Sequence, residues 1–206
     1  MKQNNKGFSL LEVVVALAIS SLVFICVSGF VSVGLRTSNT TKANSTVSQE
    51  TQTTINQLNR MVMEATKAIY SYSSGEDTSF TALGADEVLM ILNGGEDGAN
   101  DYFHLIVWSK ADYRLYYAKV EVTASLTEEN VKSVVKTKAV DYISNQMKAD
   151  GKFKQINLMA EYVSEFTVDL SKINDSVATV EVTTSMNGRK NTSANNITLR
   201  NKLQFD

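Results

Sequence analysis

The sequence predicts an α+β protein, with one long N-terminal α-helix joined to an antiparallel β-sheet head. Three observations predict it. An apolar run from Phe8 to Leu35 is broken by a single charge, Glu12. Beyond Arg36 the chain turns polar without Gly or Pro, and apolar residues then recur at helical spacing. From Gly75 onward, short apolar or alternating runs are separated by turn residues. A chain of 206 residues suffices for a long helix and one head with a real core. The formal net charge of −2 offers no basic surface for nucleic acid.

The first element is an anchor. Val13 to Leu35 carries no charge, and at about 1.5 Å per residue it covers a hydrocarbon core of about 30 Å. Lys2 and Lys6 precede it, so the positive-inside tendency keeps that end cytoplasmic and sends everything after Arg36 outward. Glu12 is the anomaly. A carboxylate within hydrocarbon costs about 2.5–3.5 kcal/mol on insertion scales, and such charges usually have a functional partner.

The segment Gly7-Phe8-Ser9-Leu10-Leu11-Glu12, followed by the apolar run, resembles the type IV prepilin signature shared by pilins and type II secretion pseudopilins. In that family a membrane-embedded prepilin peptidase cuts after the glycine and methylates the new amino terminus. By position, the resemblance implies a leader of residues 1–7, a cut between Gly7 and Phe8, and N-methylation of Phe8. Glu12 then pairs with a neighbouring subunit's terminal amine. It also implies the pilin fold, helix packing against other pilins or pseudopilins, contact with an inner-membrane assembly platform, and a surface filament after assembly. An ordinary secretory signal or signal anchor is the competing reading, but it has no use for a glutamate in its core.

Residues 8–35 are thus expected as the transmembrane and assembly helix, and residues 36–73 as its amphipathic continuation. The stripe is Val47, Ile55, Leu58, Met61, Val62, Ala65, Ile69 and Tyr72. A membrane helix, a Ser/Thr linker and a separate helix would give the same composition. Gly29 and Gly34 are candidate points of helix flexibility, since glycine costs about 1 kcal/mol relative to alanine in a helix. Pilins often carry a proline near the position of Gly29; this chain has none.

Residues 74–206 are expected as an extracytoplasmic α+β head. Glu87 to Leu92, Phe103 to Ser109 and Tyr113 to Val122 read as strands of one antiparallel sheet, with residues 109–112 as a hairpin loop. Ser125-Leu126-Thr127-Glu128 fits a capping box opening a helix to about Met147. Phe166 to Leu170 and Val177 to Met186 return to strand periodicity, Asn187-Gly188 makes a turn, and Ile197 with Leu199 closes the sheet. The ending Ile197-Thr198-Leu199-Arg200-Asn201 resembles the J-type minor pseudopilins, which favours a minor subunit.

Enzyme chemistry finds no support. His104 is the single histidine, and the single cysteine, Cys26, lies in the apolar run, leaving the head without a disulfide. No cofactor is expected. Glu96, Asp97 and Asp101 supply oxygens for a calcium site, but their spacing does not match an EF-hand loop. The other class of function open to this sequence is a single-span surface protein whose head binds a ligand and never polymerises.

Overall fold

The computed structural model describes residues 9–95 and 100–205. It divides into two compact units, Met1–Ala43 and Asn44–Asp206. One helix, α1 (Leu10–Met63), runs through the boundary between them without interruption. The Ser/Thr-rich stretch after Arg36 is therefore helical, consistent with its lack of Gly and Pro.

The second unit holds the sheets. After α1 come β1 (Ala68–Ser73), the short α2 (Thr78–Ala82), β2 (Glu87–Asn93), β3 (Asp101–Ser109) and β4 (Arg114–Val122). The helix α3 (Val131–Tyr142) passes into a π-helical turn, Ile143–Met147. A two-residue hairpin, β5 (Lys148–Ala149) and β6 (Lys152–Phe153), leads to β7 (Leu158–Ala160). The chain ends with β8 (Val163–Asp169), β9 (Val177–Met186) and β10 (Arg189–Thr198). The expected fold class is borne out: a long apolar N-terminal helix and an antiparallel head against which its C-terminal part packs.

The head is not one sheet, as the sequence suggests, but a five-stranded sheet, β1-β2-β3-β4-β7, and a three-stranded sheet, β10-β9-β8, besides the β5–β6 hairpin. The reason lies in burial on both faces of the larger sheet. On one face Leu89, Ile91, Ile106 and Leu115 join Ile55, Leu58 and Val62 of α1 and Phe166, Val180 and Val182 of the smaller sheet. On the other, Met90, Leu92, Phe103, Leu105 and Val107 join Val131, Val135 and Ala139 of α3. Sheets covered on both sides read as continuous apolar runs, as β2 and β3 do. The smaller sheet alternates, which marks it as a separate layer with one buried face.

Two boundaries differ from the sequence reading. The helix was expected to reach about Ser73 but ends at Met63, and Ile69 and Tyr72 belong to β1. The amides of Thr66 and Lys67 are taken by the Asn93 side chain and the Leu92 carbonyl, so the backbone is committed to pairing with β2. The expected capping box at Ser125 does not form. Asn130 accepts from the Thr127 N–H at 2.8 Å and donates to the Ser125 carbonyl at 3.2 Å, and α3 begins only at Val131. Its buried residues, Val131, Val135 and Ala139, continue in Ile143 and Met147 at a constant spacing of four. On an α-helix that spacing drifts by about 40° per step, and the wider π-turn restores Met147 to the buried side.

Candidate functional site

Glu12 lies in the first turn of α1, and its surroundings explain how the charge is held. Its carboxylate accepts from the Ser9 N–H at 3.1 Å, while the Ser9 hydroxyl accepts from the Glu12 N–H at 3.2 Å. This reciprocal pair is a capping box, satisfying two of the amide donors a helix start leaves open. The carboxylate also faces the positive end of the helix dipole. The signal, Ser9-x-x-Glu12, was present in the sequence, yet the sequence reading assigned Glu12 only an intermolecular partner. Gly7 and Phe8, the expected cleavage and methylation positions, lie outside the described residues.

From Leu10 to Leu35 the large apolar side chains are exposed, among them Leu22, Phe24 and Phe30. An 18-residue window of this helix has mean hydropathy 2.7 and is 0% buried. Its length and composition are those of a helix able to cross a membrane. The helix stays regular through Gly29 and Gly34, and a Cβ at either place would meet nothing within 4 Å. Nothing among the described residues therefore requires glycine there.

The far end of α1 is held by the chain's last residues. The Arg200 N–H donates to the Met63 carbonyl at 3.1 Å, and Asn201 Nδ2 to the Ala65 carbonyl at 3.3 Å. The amides of Gln204 and Phe205 donate to Thr66 and Lys67, with Leu199 and Leu203 buried beneath. Arg200 and Asn201, from the ending compared with the J-type group, thus take the carbonyl of Met63, the last residue of α1, and that of Ala65 just beyond it. Arg200 acts through its backbone, so this role accounts for the asparagine and not for the arginine. Within the head, α1 is further tied to β9: Thr184 Oγ1 lies 2.6 Å from Thr51 Oγ1 and donates to the Val47 carbonyl at 2.9 Å.

The remaining polar candidates are engaged within the fold. Asp101 Oδ2 accepts from Lys67 Nζ at 2.6 Å and its Oδ1 from the Gly95 N–H at 3.3 Å. Its charge is thereby matched by an ammonium; Glu96 and Asp97 lie outside the described residues. Among the described residues no group of three or more His, Cys, Asp or Glu is gathered as metal ligands. His104 stacks on Tyr117, with Nδ1 2.9 Å from the phenol oxygen. Burial, then the nearby Lys119, hold its pKa below the ordinary imidazole value. The buried Glu87 accepts from Ser71 Oγ at 2.9 Å, and desolvation raises its pKa above the usual carboxylate range.

Comparison with known proteins gives one match: residues 2–25 fit the family described as the prokaryotic N-terminal methylation motif. No curated protein and no solved structure matches the chain. The match supports a type IV pilin-like prepilin signature and a membrane-anchored chain. Proteins with this motif are structural, and the motif implies processing by prepilin peptidase and assembly with other pilins.

Proposed function

We propose that this chain is a minor pilin or pseudopilin subunit. Prepilin peptidase cuts it between Gly7 and Phe8 and methylates Phe8. The apolar helix then holds it in the cytoplasmic membrane, with its head outside, until an inner-membrane assembly platform adds it to a type IV pilus-like or type II secretion-like filament. The observation that carries this reading is a glutamate in the first turn of a helix whose next residues, Val13 to Leu35, are uncharged and exposed, and whose later turns pack in the head. A plain membrane anchor can use that charge only to cap its own first turn, whereas an assembling helix can exchange the local amide for a neighbour's amine in low dielectric, where opposite charges attract far more strongly than in water. Gly29 and Gly34, which no contact among the described residues requires, give such a helix places to bend or to let a neighbour approach closely.

The test is made in the native host. Intact mass is expected to show a chain beginning at methylated Phe8, and Gly7→Leu to leave the full-length chain in the membrane. Glu12→Val is expected to be cut yet to be absent from sheared filaments. An uncut wild-type chain that never co-purifies with other pilins would identify an independent anchored surface protein instead.

A further inference from the structure

Three connecting segments meet at one end of the larger sheet: the turn from α2 to β2, the β3–β4 hairpin and the β5–β6 hairpin. Between them lies a cleft of about 590 Å³, within the range of small-molecule sites, about 300–1,000 Å³. Its lining includes Asp86, Asp112, Lys110, Lys148, Lys152 and Tyr113. All of them belong to the unit Asn44–Asp206. Loops held by a rigid sheet are where binding residues are most often found.

The charges of the cleft are bonded to neutral groups rather than to one another. Asp86 Oδ2 accepts from the Lys110 N–H at 2.7 Å, and Asp112 Oδ2 from Ser109 Oγ at 3.1 Å and the Tyr116 hydroxyl at 3.3 Å. The two carboxylates are thus anchored to adjacent residues of one hairpin, and each has a second oxygen for a ligand. The half-buried Lys148 donates from Nζ to the Leu83 carbonyl at 2.6 Å. The same Nζ lies 4.8 Å from the centre of the Phe153 ring, which stacks on Tyr116 at 4.4 Å. Ion pairs among the described residues are made by Lys67, Arg114 and Lys136, so none of the three lysines of the cleft is matched by a carboxylate. Tyr113 is 56% exposed and has a φ of 53°, a left-handed backbone that bulky residues rarely adopt. The Val163 N–H fixes it by donating to the Tyr113 carbonyl at 2.8 Å. An aromatic ring therefore stands at the cleft instead of in the core, and backbone strain of this kind collects at ligand-binding positions.

We propose that this cleft binds an acidic saccharide, a sugar ring that carries one carboxylate. Adjacent hydroxyls of a sugar donate to carboxylates such as Asp86 and Asp112 and accept from ammonium groups. The C–H face of the ring lies against the negative face of an aromatic side chain, here Tyr113. The charge of the cleft selects the acid. Its three lysines and two aspartates carry a formal charge of +1, which one sugar carboxylate neutralises. A phosphate monoester brings a charge of about −1.5 to −2 and sets it beside both aspartates. A peptide carboxylate would meet the same ammonium groups but supplies no adjacent hydroxyls to the aspartates.

Isothermal titration of the full-length chain in detergent tests this, with trisaccharides of glucuronic, galacturonic and mannuronic acid, the neutral maltotriose, and AMP. At least one acidic trisaccharide is expected to bind about tenfold or more tightly than maltotriose and AMP, as one charge-assisted contact gives. Lys152→Gln removes an exposed ammonium group, and Tyr113→Gly removes the ring while glycine keeps the positive φ. Each is expected to weaken that binding about tenfold and to leave the unfolding transition followed by Trp108 fluorescence in place. Lys172→Gln, at an exposed lysine outside the cleft, is expected to leave the binding unchanged. Should Tyr113→Gly unfold the head, Lys152→Gln decides alone. Absence of binding by all three acids, equal binding of maltotriose, tighter binding of AMP, or binding that survives both cleft variants would overturn the saccharide site. None of these outcomes depends on processing or polymerisation, so the pilin reading stands or falls by the filament tests above.

Discussion

The two parts of α1 show one helix written for two surroundings. Before Ala43 its large apolar residues are exposed, and its polar side chains bond locally: Ser9 with Glu12, Ser21 to Ala18, Thr40 to Arg36. Past Asn44, Ile55, Leu58 and Val62 are fully buried, and beside local bonds such as Gln52 to Asn56 the helix also bonds across the chain, through Thr51 and the Val47 carbonyl to Thr184. Local satisfaction suits a helix whose packing partners come from outside the chain. Long-range satisfaction suits one that forms the core of its own head, because isolated helices are marginal without tertiary partners.

The largest effect should come from exchanging equivalent substitutions between the two parts. Leu58 is 0% exposed and Leu22 64% exposed. Leu58→Ala is expected to destabilise the head by about 2–5 kcal/mol through lost burial and a residual cavity. Leu22→Ala should leave head stability unchanged. Trp108, the single tryptophan, is buried beside the same core and donates from Nε1 to the Val163 carbonyl at 3.0 Å. Its fluorescence on the full-length chain in detergent therefore reports unfolding of the head alone. A comparable loss from Leu22→Ala would mean that the first part of the helix also serves the head's core.

This comparison also marks what could be read from the sequence. The anchor was legible because nothing but uninterrupted apolar character is needed to identify it, and Glu12 because one charge within such a run is anomalous. The turn after β9 was legible because Asn187-Gly188 ends an alternating run, but β10, almost wholly polar, was marked only by Ile197 near its end. The end of α1 was not, since Ile69 and Tyr72, three apart, fit a helix face as well as two successive faces of a strand. Only the bonds from Thr66 and Lys67 to Asn93 and Leu92 decide between them. The two-sheet head was hidden for a similar reason: alternation tells which face of a strand is buried, not which strand lies beside it. The bond from Asn201 to the Ala65 carbonyl joins residues far apart in sequence, so its role appears only in three dimensions.

A smaller effect is expected where the head grips α1 by polar contacts. Thr184 reaches both Thr51 and the Val47 carbonyl in a buried setting, whereas Thr40 makes its bond to Arg36 in an exposed one. Thr184→Val keeps the shape and removes the hydroxyl. It should cost about 1 kcal/mol, or about 2–4 °C in melting temperature for a protein of this size. Thr40→Val should leave the head's melting temperature unmoved. Equal shifts from the two would erase the distinction between long-range and local bonding drawn above.

The smallest effect is a dependence on pH confined to the head, and its sign follows from Glu87. Burial is the main cause of its raised pKa, opposed by hydrogen bonds from Ser73 and Ser71, so the folded chain keeps this proton to higher pH than the unfolded chain does. Where the folded state binds more protons, stability falls as pH rises. The fall begins near the ordinary glutamate pKa, about 4.3, and ends above the raised value, where Glu87 is ionised in both states. Glu87→Gln keeps an oxygen able to accept from Ser71 and cannot ionise. It should therefore remove this group's part of the decline and leave the head more stable than wild type at neutral pH. Melting curves followed by Trp108 fluorescence from pH 4 to 8 would check it, with Glu12→Gln as the companion from the other part of the helix. Since Glu12 is exposed and bonded within its own turn, that variant should leave the head's pH profile unaltered. A neutral-pH loss of stability in Glu87→Gln would mean that the buried carboxylate is held by its serine bonds more strongly than burial opposes it.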